Sequence, residues 1–500
     1  MRCVNLLDLL SATEINDLDG NLTGTVSFVT SDSRQVREGA LFVAVKGYKS
    51  DGHKYIQSAI EKGAIAAVIE DRDYISDNYP WILVPDTRKA LADFSAAFCG
   101  YPSSKLNLIG VTGTNGKTTT TNLITAILDD YGHKAGLIGT IHCRIGKDIL
   151  PAQHTTPEAP ELQQLFCDFL GKGADYAVME VSSHALELQR VRGCDFDVAV
   201  FTNLTQDHLD FHGNMEKYLM AKSRLFYNLG RSSRKKRRKY AIINIDDPAG
   251  QQLASMTTAS IITYGVNNNA DVRAEQVEVA ATGVRYQLRY TNQVIPVSLQ
   301  LTGMFNVYNS LAAIAVGLVE NIPVSSIIAS LEKIAGIPGR FEKVNAGQDF
   351  TVIVDYSHTP DGLDNCLRTA RAIARGRLIT VFGCGGDRDR SKRPLMGEIA
   401  GRLSDFVVVT SDNPRSECPQ DIINDIVAGL SKVMDSQQFL KVEDRQAAIR
   451  LAIQEARAGD VVVIAGKGHE SYQIIGERVL SFDDREAAAE AIRTFAGRSL

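Results

Sequence analysis

Three α/β units in one chain, each a sheet covered by helices, is the architecture this sequence predicts, and three observations carry the prediction. A length of 500 residues suits about three domains. Short apolar runs alternate with helix-period segments along most of the chain. Turn chemistry interrupts that alternation at Tyr101-Pro102-Ser103-Ser104 and at Gly336-Ile337-Pro338-Gly339-Arg340. Residues 1–103 are therefore read as a small N-terminal α/β unit, 104–338 as a central one and 339–500 as a third.

The first unit shows strand patterns at residues 41–45, 64–69 and 81–84, with an Ala/Ile helix pattern from Tyr55. The central unit opens on an apolar strand at 106–111, followed by a glycine-rich turn and a helical run at 119–128. Further strands at 176–179, 198–201 and 240–244 alternate with helices, which predicts a parallel sheet. The stretch 260–301 has period-2 segments at 284–290 and 294–301, and reads as an antiparallel extension. Four more strand–loop units at 351–354, 378–382, 406–409 and 461–464 predict a doubly wound, Rossmann-like third unit.

Composition removes several classes. At 44% apolar and 23% charged the chain is ordinary globular protein, not collagen, coiled coil or disorder. A net charge of −5 provides no global positive field for nucleic acid or an anionic membrane surface. Eight scattered cysteines without a C-x-x-C pair suit a reducing compartment, and the N-terminal apolar run carries an acid and no cleavage site. No apolar stretch reaches the roughly 18–20 residues of a membrane span. A cytoplasmic, non-membrane protein, expected to be monomeric, follows. The run 231–239 packs seven positive charges into nine residues. Without aromatic or groove-reading residues beside it, it predicts a solvated loop and no nucleic-acid partner.

The strongest local signal is Gly110-Val-Thr-Gly113-Thr114-Asn115-Gly116-Lys117-Thr118, between a strand and a helix. Backbone N–H groups of such a turn cradle phosphates, Lys117 reaches the terminal ones and Thr118 holds Mg²⁺. The literal P-loop pattern wants glycine at 111 and finds Val111, leaving a tighter variant. Glu180 and His208 follow the strands at 176–179 and 198–201, where an open α/β sheet collects its ligands, and are candidate Mg²⁺ ligands. Lys222 lies in an amphipathic helix pattern; a lysine there is normally solvated, and beside a cation it would be repelled unless modification inverted its charge.

The turn at 112–118, Glu180-Val-Ser-Ser-His184, Asn203-Leu-Thr-Gln-Asp-His208, Ala221-Lys222, Gly339-Arg-Phe-Glu342 and Val354-Asp-Tyr-Ser-His-Thr-Pro360 together resemble the Mur ligases, the ATP-dependent amide-forming ligases of cell-wall precursor synthesis. The resemblance runs in order over nearly the whole chain. It implies the three-domain Mur ligase architecture, ATP and Mg²⁺ as cofactors, and a carboxyl activated as an acyl phosphate before an amine displaces phosphate. Within the family, Gly383-Cys-Gly-Gly-Asp-Arg388, Asp412-Asn-Pro-Arg415 and Gly466-Lys-Gly-His-Glu470 resemble members adding meso-diaminopimelate to UDP-N-acetylmuramoyl-L-Ala-D-Glu. The alternatives are an L-lysine-adding homologue and a folylpolyglutamate-type ligase.

Residue by residue, the resemblance implies that Gly113, Thr114, Asn115, Gly116, Lys117, Thr118, Thr119, Asn306, Arg340 and Asp355 meet ATP. Ser31, Ser33, Tyr48, Lys49, Ser50, Thr155, Thr156, Ser182 and Arg190 would contact the nucleotide-sugar substrate. Arg388, Asp412, Asn413, Pro414, Arg415, Gly466 and Glu470 would hold diaminopimelate. Lys117, Lys222, His208 and Glu180 would be catalytic, with Thr118, Glu180, His208 and a carbamylated Lys222 around Mg²⁺. The family often carries Gln two residues before the arginine matching Arg190, where this chain has Leu188 followed by Gln189.

Overall fold

A computed structural model describes residues 3–47, 50–152, 154–231 and 233–496. Continuous apolar runs, too hydrophobic to tolerate a solvated face, become the middle strands of three separate sheets covered on both sides. The first sheet runs Asp17–Asp19, Trp81–Leu83, Ala64–Ile69, Ala40–Val43, Phe28–Thr30, parallel except for its first pair. Helices Ile56–Glu61 and Thr87–Phe98 cover it.

The central sheet has eleven strands, and its parallel core is the order Ala135–Ile138, Tyr176–Glu180, Asn107–Thr112, Val198–Phe201, Tyr240–Asn244, Ser260–Gly265 and Val272–Ala280. Successive residues of Asn107–Thr112 point to opposite cores: Ile109 and Val111 pack with the helix pair Lys117–Asp130 and Met304–Val319, and Leu108 packs with Phe166 and Phe169. The antiparallel extension is found, but it begins later than expected. Ser260–Gly265 is parallel to its neighbour, and the reversal comes only between Val272–Ala280, Gly283–Tyr290 and Gln293–Leu299. Ser260–Gly265 directly follows the crossover helix Pro248–Met256, so it completes one more βαβ step before the chain can turn back. The opposite edge carries an unexpected hairpin, His142–Ile145 with Asp148–Pro151.

The third sheet is Glu342–Val344, Thr351–Asp355, Val461–Ala465, Leu378–Phe382, Phe406–Val409, Phe439–Lys441, again parallel beyond its first pair. Its buried arginine Arg445 is satisfied bidentately by Asp484 at 2.7 and 2.8 Å. Among the described residues no helix is long and apolar enough to cross a membrane.

The basic run is not the solvated loop expected. Lys239 Nζ lies 3.0 Å from both Asp195 and Asp197, Lys235 pairs with Asp197, and Arg237 pairs with Glu320. Asp197 and Glu320 are buried carboxylates, and a buried charge must be paired, so Lys235, Arg237 and Lys239 turn inward while Arg231, Arg234, Lys236 and Arg238 stay exposed. The signal was present as the acids Asp195 and Asp197, about forty residues earlier in sequence.

Candidate active site

The turn after strand Asn107–Thr112 is held open by two glycines. A Cβ on Gly113, at φ +148°, would lie 1.9 Å from Thr202 Oγ1, and one on Gly116, at φ +87°, would lie 2.4 Å from Asn309 Oδ1. Only glycine permits both the conformation and the approach. Gly116 caps helix Lys117–Asp130 without a side-chain bond, so the helix's first N–H groups have no protein cap and suit an anion. Asn203 fixes the turn, accepting from Thr114 N and Asn115 N, each at 2.9 Å.

Three cations face this turn without a carboxylate in ion-pair range among the described residues. Lys117 Nζ donates to Gly113 O at 3.0 Å and Thr114 O at 2.8 Å; burial lowers its pKa against the opposing pull of Glu180 and Asp207. Lys222, on helix Met215–Asn228, is buried, contrary to the solvated position expected from helix pattern alone. Its Nζ donates to Gly113 O at 2.8 Å and lies 4.3 Å from the Tyr218 ring centroid; burial, with Lys117 nearby, holds its pKa well below the usual lysine range. Arg340 reaches across from the third unit, donating from Nη2 to Thr118 Oγ1 at 2.8 Å and stacking on Tyr356, while its buried Nε has no partner.

Glu180 ends strand Tyr176–Glu180, buried, and accepts from Thr118 Oγ1 at 3.1 Å, Thr140 N at 2.8 Å and Thr140 Oγ1 at 3.0 Å. His208 sits at φ +55° with Nε2 3.2 Å from Asp207 and its ring edge-on to His184 at 4.7 Å. Burial pushes the His208 imidazole down to about 2, keeping it neutral. Among the described residues no cluster of three or more His, Cys, Asp or Glu side chains forms a metal cage. Thr118 and Glu180 meet directly, and such a sparse oxygen set suits Mg²⁺, which keeps waters and takes phosphate oxygens as ligands.

The remaining residues expected to meet the nucleotide reach the turn partly through other side chains. Asn306 accepts from Asn309 Nδ2 at 3.1 Å, and Asn309 Oδ1 accepts from Thr120. Asp355 accepts from Phe341 N at 2.7 Å and Ser357 N at 2.8 Å, which fixes the loop that presents Arg340. Thr119 is buried in the first helical turn.

On the nucleotide-sugar side, Thr156 Oγ1 donates to Glu180 O at 2.8 Å, Ser182 N donates to Thr156 Oγ1 at 3.1 Å, and Arg190 Nη1 donates to Thr156 O at 3.0 Å. Arg190 also pairs with Glu158 at 2.6 Å, and Thr155 accepts from Thr140 at 3.1 Å. These four therefore stand directly behind Glu180. Ser31, Ser33 and Ser50 are in the first unit: Ser33 O accepts from Lys62 Nζ at 2.9 Å and Ser50 Oγ lies 3.1 Å from Tyr55 OH. No hydrogen bond joins them to the Thr156 group among the described residues. Tyr48 and Lys49 lie outside the described residues.

In the third unit Asn413 Nδ2 donates to Glu470 at 2.8 Å, and Lys467 Nζ bridges Asn413 and Glu470 at 3.1 Å each. Burial raises the Glu470 pKa, with Asp412 adding to it. Gly466, at φ +119°, leaves room for Asp412, whose Oδ2 lies 2.5 Å from where a Cβ would stand. Arg415, at φ +54° after Pro414, donates to Gly386 O at 2.6 Å, and Arg388 to Asp387 O at 2.8 Å. Burial lowers the Arg415 pKa, Arg388 lowers it further, and neither guanidinium has a carboxylate in ion-pair range among the described residues.

The chain matches three family descriptions in order: "Mur ligase family, catalytic domain" over residues 25–99, "Mur ligase middle domain" over 111–317 and "Mur ligase, glutamate ligase domain" over 339–468. A UDP-N-acetylmuramoyl-L-alanyl-D-glutamate–2,6-diaminopimelate ligase from Syntrophomonas wolfei is 49% identical over 490 residues, 98% of this chain and 99% of that one. This chain belongs to the Mur ligase family. A ligase of the same name from Geobacillus thermodenitrificans is 50% identical over 462 residues, 92% of this chain and 94% of that one. A solved structure of a so-named ligase superposes with a TM-score of 0.69 at 33% identity, covering 99% of each chain. The Mur ligase fold is thus shared from end to end, and the chain is an ATP-dependent, peptide-bond-forming ligase.

Several residues of this Mur ligase's site carried no assigned role in the sequence. Thr140 follows no motif and reaches Glu180 only because strand Ala135–Ile138 ends beside Tyr176–Glu180. Asn309 is one helical turn beyond Asn306, a spacing that could have flagged it. Asp207, His358 and Lys467 all stood within the motifs that carry the resemblance.

Proposed function

We propose that this Mur ligase joins meso-diaminopimelate to the D-glutamate of UDP-N-acetylmuramoyl-L-Ala-D-Glu in cytoplasmic peptidoglycan precursor synthesis. The observation that carries the acceptor is the pair Arg388 and Arg415, two neighbouring guanidiniums with no carboxylate in ion-pair range among the described residues, while Asp412 and Glu470 lie farther off and act on Arg415 only through their charge. Diaminopimelate has a second α-amino-acid end where lysine has a bare ammonium. That far carboxylate supplies the missing partner and its amine meets the acids. The folylpolyglutamate-type alternative is disfavoured by the first unit, matched over 25–99.

The D-glutamate carboxylate attacks the ATP γ-phosphate, giving an acyl phosphate and ADP; the acceptor amine then attacks the carbonyl and phosphate leaves. Lys117 and the uncapped helix N-terminus draw charge from the transferring phosphoryl group. Mg²⁺ would neutralise the phosphate oxygens, held by Thr118, Glu180 and His208 with Lys222 carbamylated. Lys222 supports that modification by being a buried amine with no carboxylate partner and a lowered pKa, so the neutral amine would add CO2 and lose a proton to give a carbamate anion. The segments 1–103, 104–338 and 339–500 act as the binding units for nucleotide sugar, ATP and acceptor.

The test supplies ATP, Mg²⁺ and the UDP-muramoyl dipeptide with diaminopimelate or L-lysine in parallel, and follows amide and phosphate. Preference for lysine overturns the acceptor; no amide with either overturns the reaction. With diaminopimelate, Arg415→Leu removes charge-assisted bonds of about 1.5–3 kcal/mol each, so kcat/KM falls roughly 10- to 150-fold per bond, with little change for lysine.

A further inference from the structure

The segment Lys392-Arg393-Pro394, shortly after Gly383–Arg388 in the sequence, has no part in the chemistry above, yet its lysine is buried against the central unit. Lys392 opens helix Lys392–Leu403, is 4% exposed, and places Nζ 3.7 Å from Asp207 Oδ1. No other acid lies in ion-pair range of it among the described residues. Asp207 is 5% exposed and is met from both units: His208 N at 2.9 Å and His208 Nε2 at 3.2 Å from its own, His358 Nε2 at 3.9 Å and Lys392 from the third. The helix carrying Lys392 is fixed next door, because the buried Arg393 binds Glu417 and Asp425. The backbone that carries Lys392 is thereby held at the inter-unit face, so the Lys392–Asp207 contact depends on how the third unit sits against the central one.

Three neutral or half-charged contacts ring the same turn: Arg340 to Thr118 at 2.8 Å, Asn115 Nδ2 to Asp361 at 2.7 Å and Gln206 Nε2 to Ser391 at 3.2 Å. Among the inter-unit contacts named here, Lys392–Asp207 brings the one full lysine charge to a buried carboxylate.

We propose that the Lys392–Asp207 pair is an inter-unit latch: a positioning pair that holds the acceptor unit over the phosphate turn and keeps water off the activated carboxyl. This rests on the ligase reading above. With the latch broken, the acyl phosphate still forms, but water reaches its carbonyl, the bond to phosphate breaks, and free carboxylate and inorganic phosphate leave without an amide. A misplacement of about 1 Å costs on the order of 10²-fold in rate.

The test uses the full-length enzyme with Lys392→Met and Lys392→Arg, reading kcat, each KM and the ratio of amide to phosphate. Lys392→Met is expected to lose on the order of 10²-fold in kcat with KM for the nucleotide sugar and ATP within a few-fold. Its amide-to-phosphate ratio drops below one, and Lys392→Arg restores most of both. Asp207→Asn shows the same ratio and is not additive with Lys392→Met; it also carries the test should Lys392→Met fail to fold. Wild-type kcat and a ratio of one in Lys392→Met overturn the latch, as does a loss confined to the acceptor KM. Closure in the presence of a non-hydrolysable ATP analogue, followed by small-angle scattering, separates the readings. A wild type that closes and a variant that does not support the latch even if no amide forms, whereas equal closure removes it whatever the reaction.

Discussion

Two groups of cations stand at opposite ends of the central sheet, one of them completed by Arg340 from the third unit, and they are built on opposite rules. At the N-terminal edge Lys235, Arg237 and Lys239 are matched by Asp197, Glu320 and Asp195. At the C-terminal edge Lys117, Lys222 and Arg340 bond only carbonyls, a hydroxyl and aromatic faces. Charge density alone points to the first group; the lack of local counter-charge points to the second. Removing Lys235 and Lys239 together, as Lys→Met, leaves Asp197 buried without a cation, holding only the Leu108 N–H at 2.8 Å. The expected loss is about 3–5 kcal/mol of stability in urea unfolding, with kcat of the folded fraction unchanged. A stable double variant would show that the acids there do not need their partners and would break the comparison.

The other group should respond the other way. Lys117→Met strands no ion-paired carboxylate, so its thermal midpoint should hold or rise, while kcat falls about 10²–10³-fold, equivalent to about 2.7–4 kcal/mol of lost transition-state stabilisation. Near-normal turnover in steady-state phosphate release would remove Lys117 from the chemistry.

The same contrast explains what could be read from sequence. The strands and the phosphate turn were legible because they are local: an unbroken apolar run such as Val461–Ala465 has one stable place, and Gly113 and Gly116 sit at fixed spacing before Lys117. The fate of 231–239 was not legible. Whether a lysine is solvated depends on which acid lies across the fold, and Asp195, Asp197 and Glu320 are brought there by sheet order. The helix pattern alone misplaces Lys222 for the same reason: its helix is amphipathic, but the buried face covers Gly113, far away in sequence. Thr140 and Lys392 likewise gain meaning only from the neighbouring strand and the facing unit.

Acid should loosen the two edges in sequence, the phosphate edge first. His184 packs on His208, and burial, reinforced by His212 and Arg190, pushes its pKa down to about 4. Since the unfolded imidazole titrates near 6.5, the unfolded chain binds more protons than the native one between about pH 6.5 and 4. The contribution is therefore complete above pH 6.5 and is lost as pH falls through that window. For His184 this amounts to about 1 kcal/mol between pH 7.5 and 5.5. At the other edge burial opposes the Asp195 charge, but its bonds to Lys239 and Ser233 outweigh that and lower its pKa, so its ion pair persists to lower pH. Urea midpoints at the two pH values should separate less in His184→Gln than in the wild type, while a Lys239→Met variant keeps the wild-type difference. An unchanged pH dependence in His184→Gln would mean that the imidazole takes up its proton at the same pH in the fold as in the unfolded chain, and that burial at the phosphate edge does not oppose its charge.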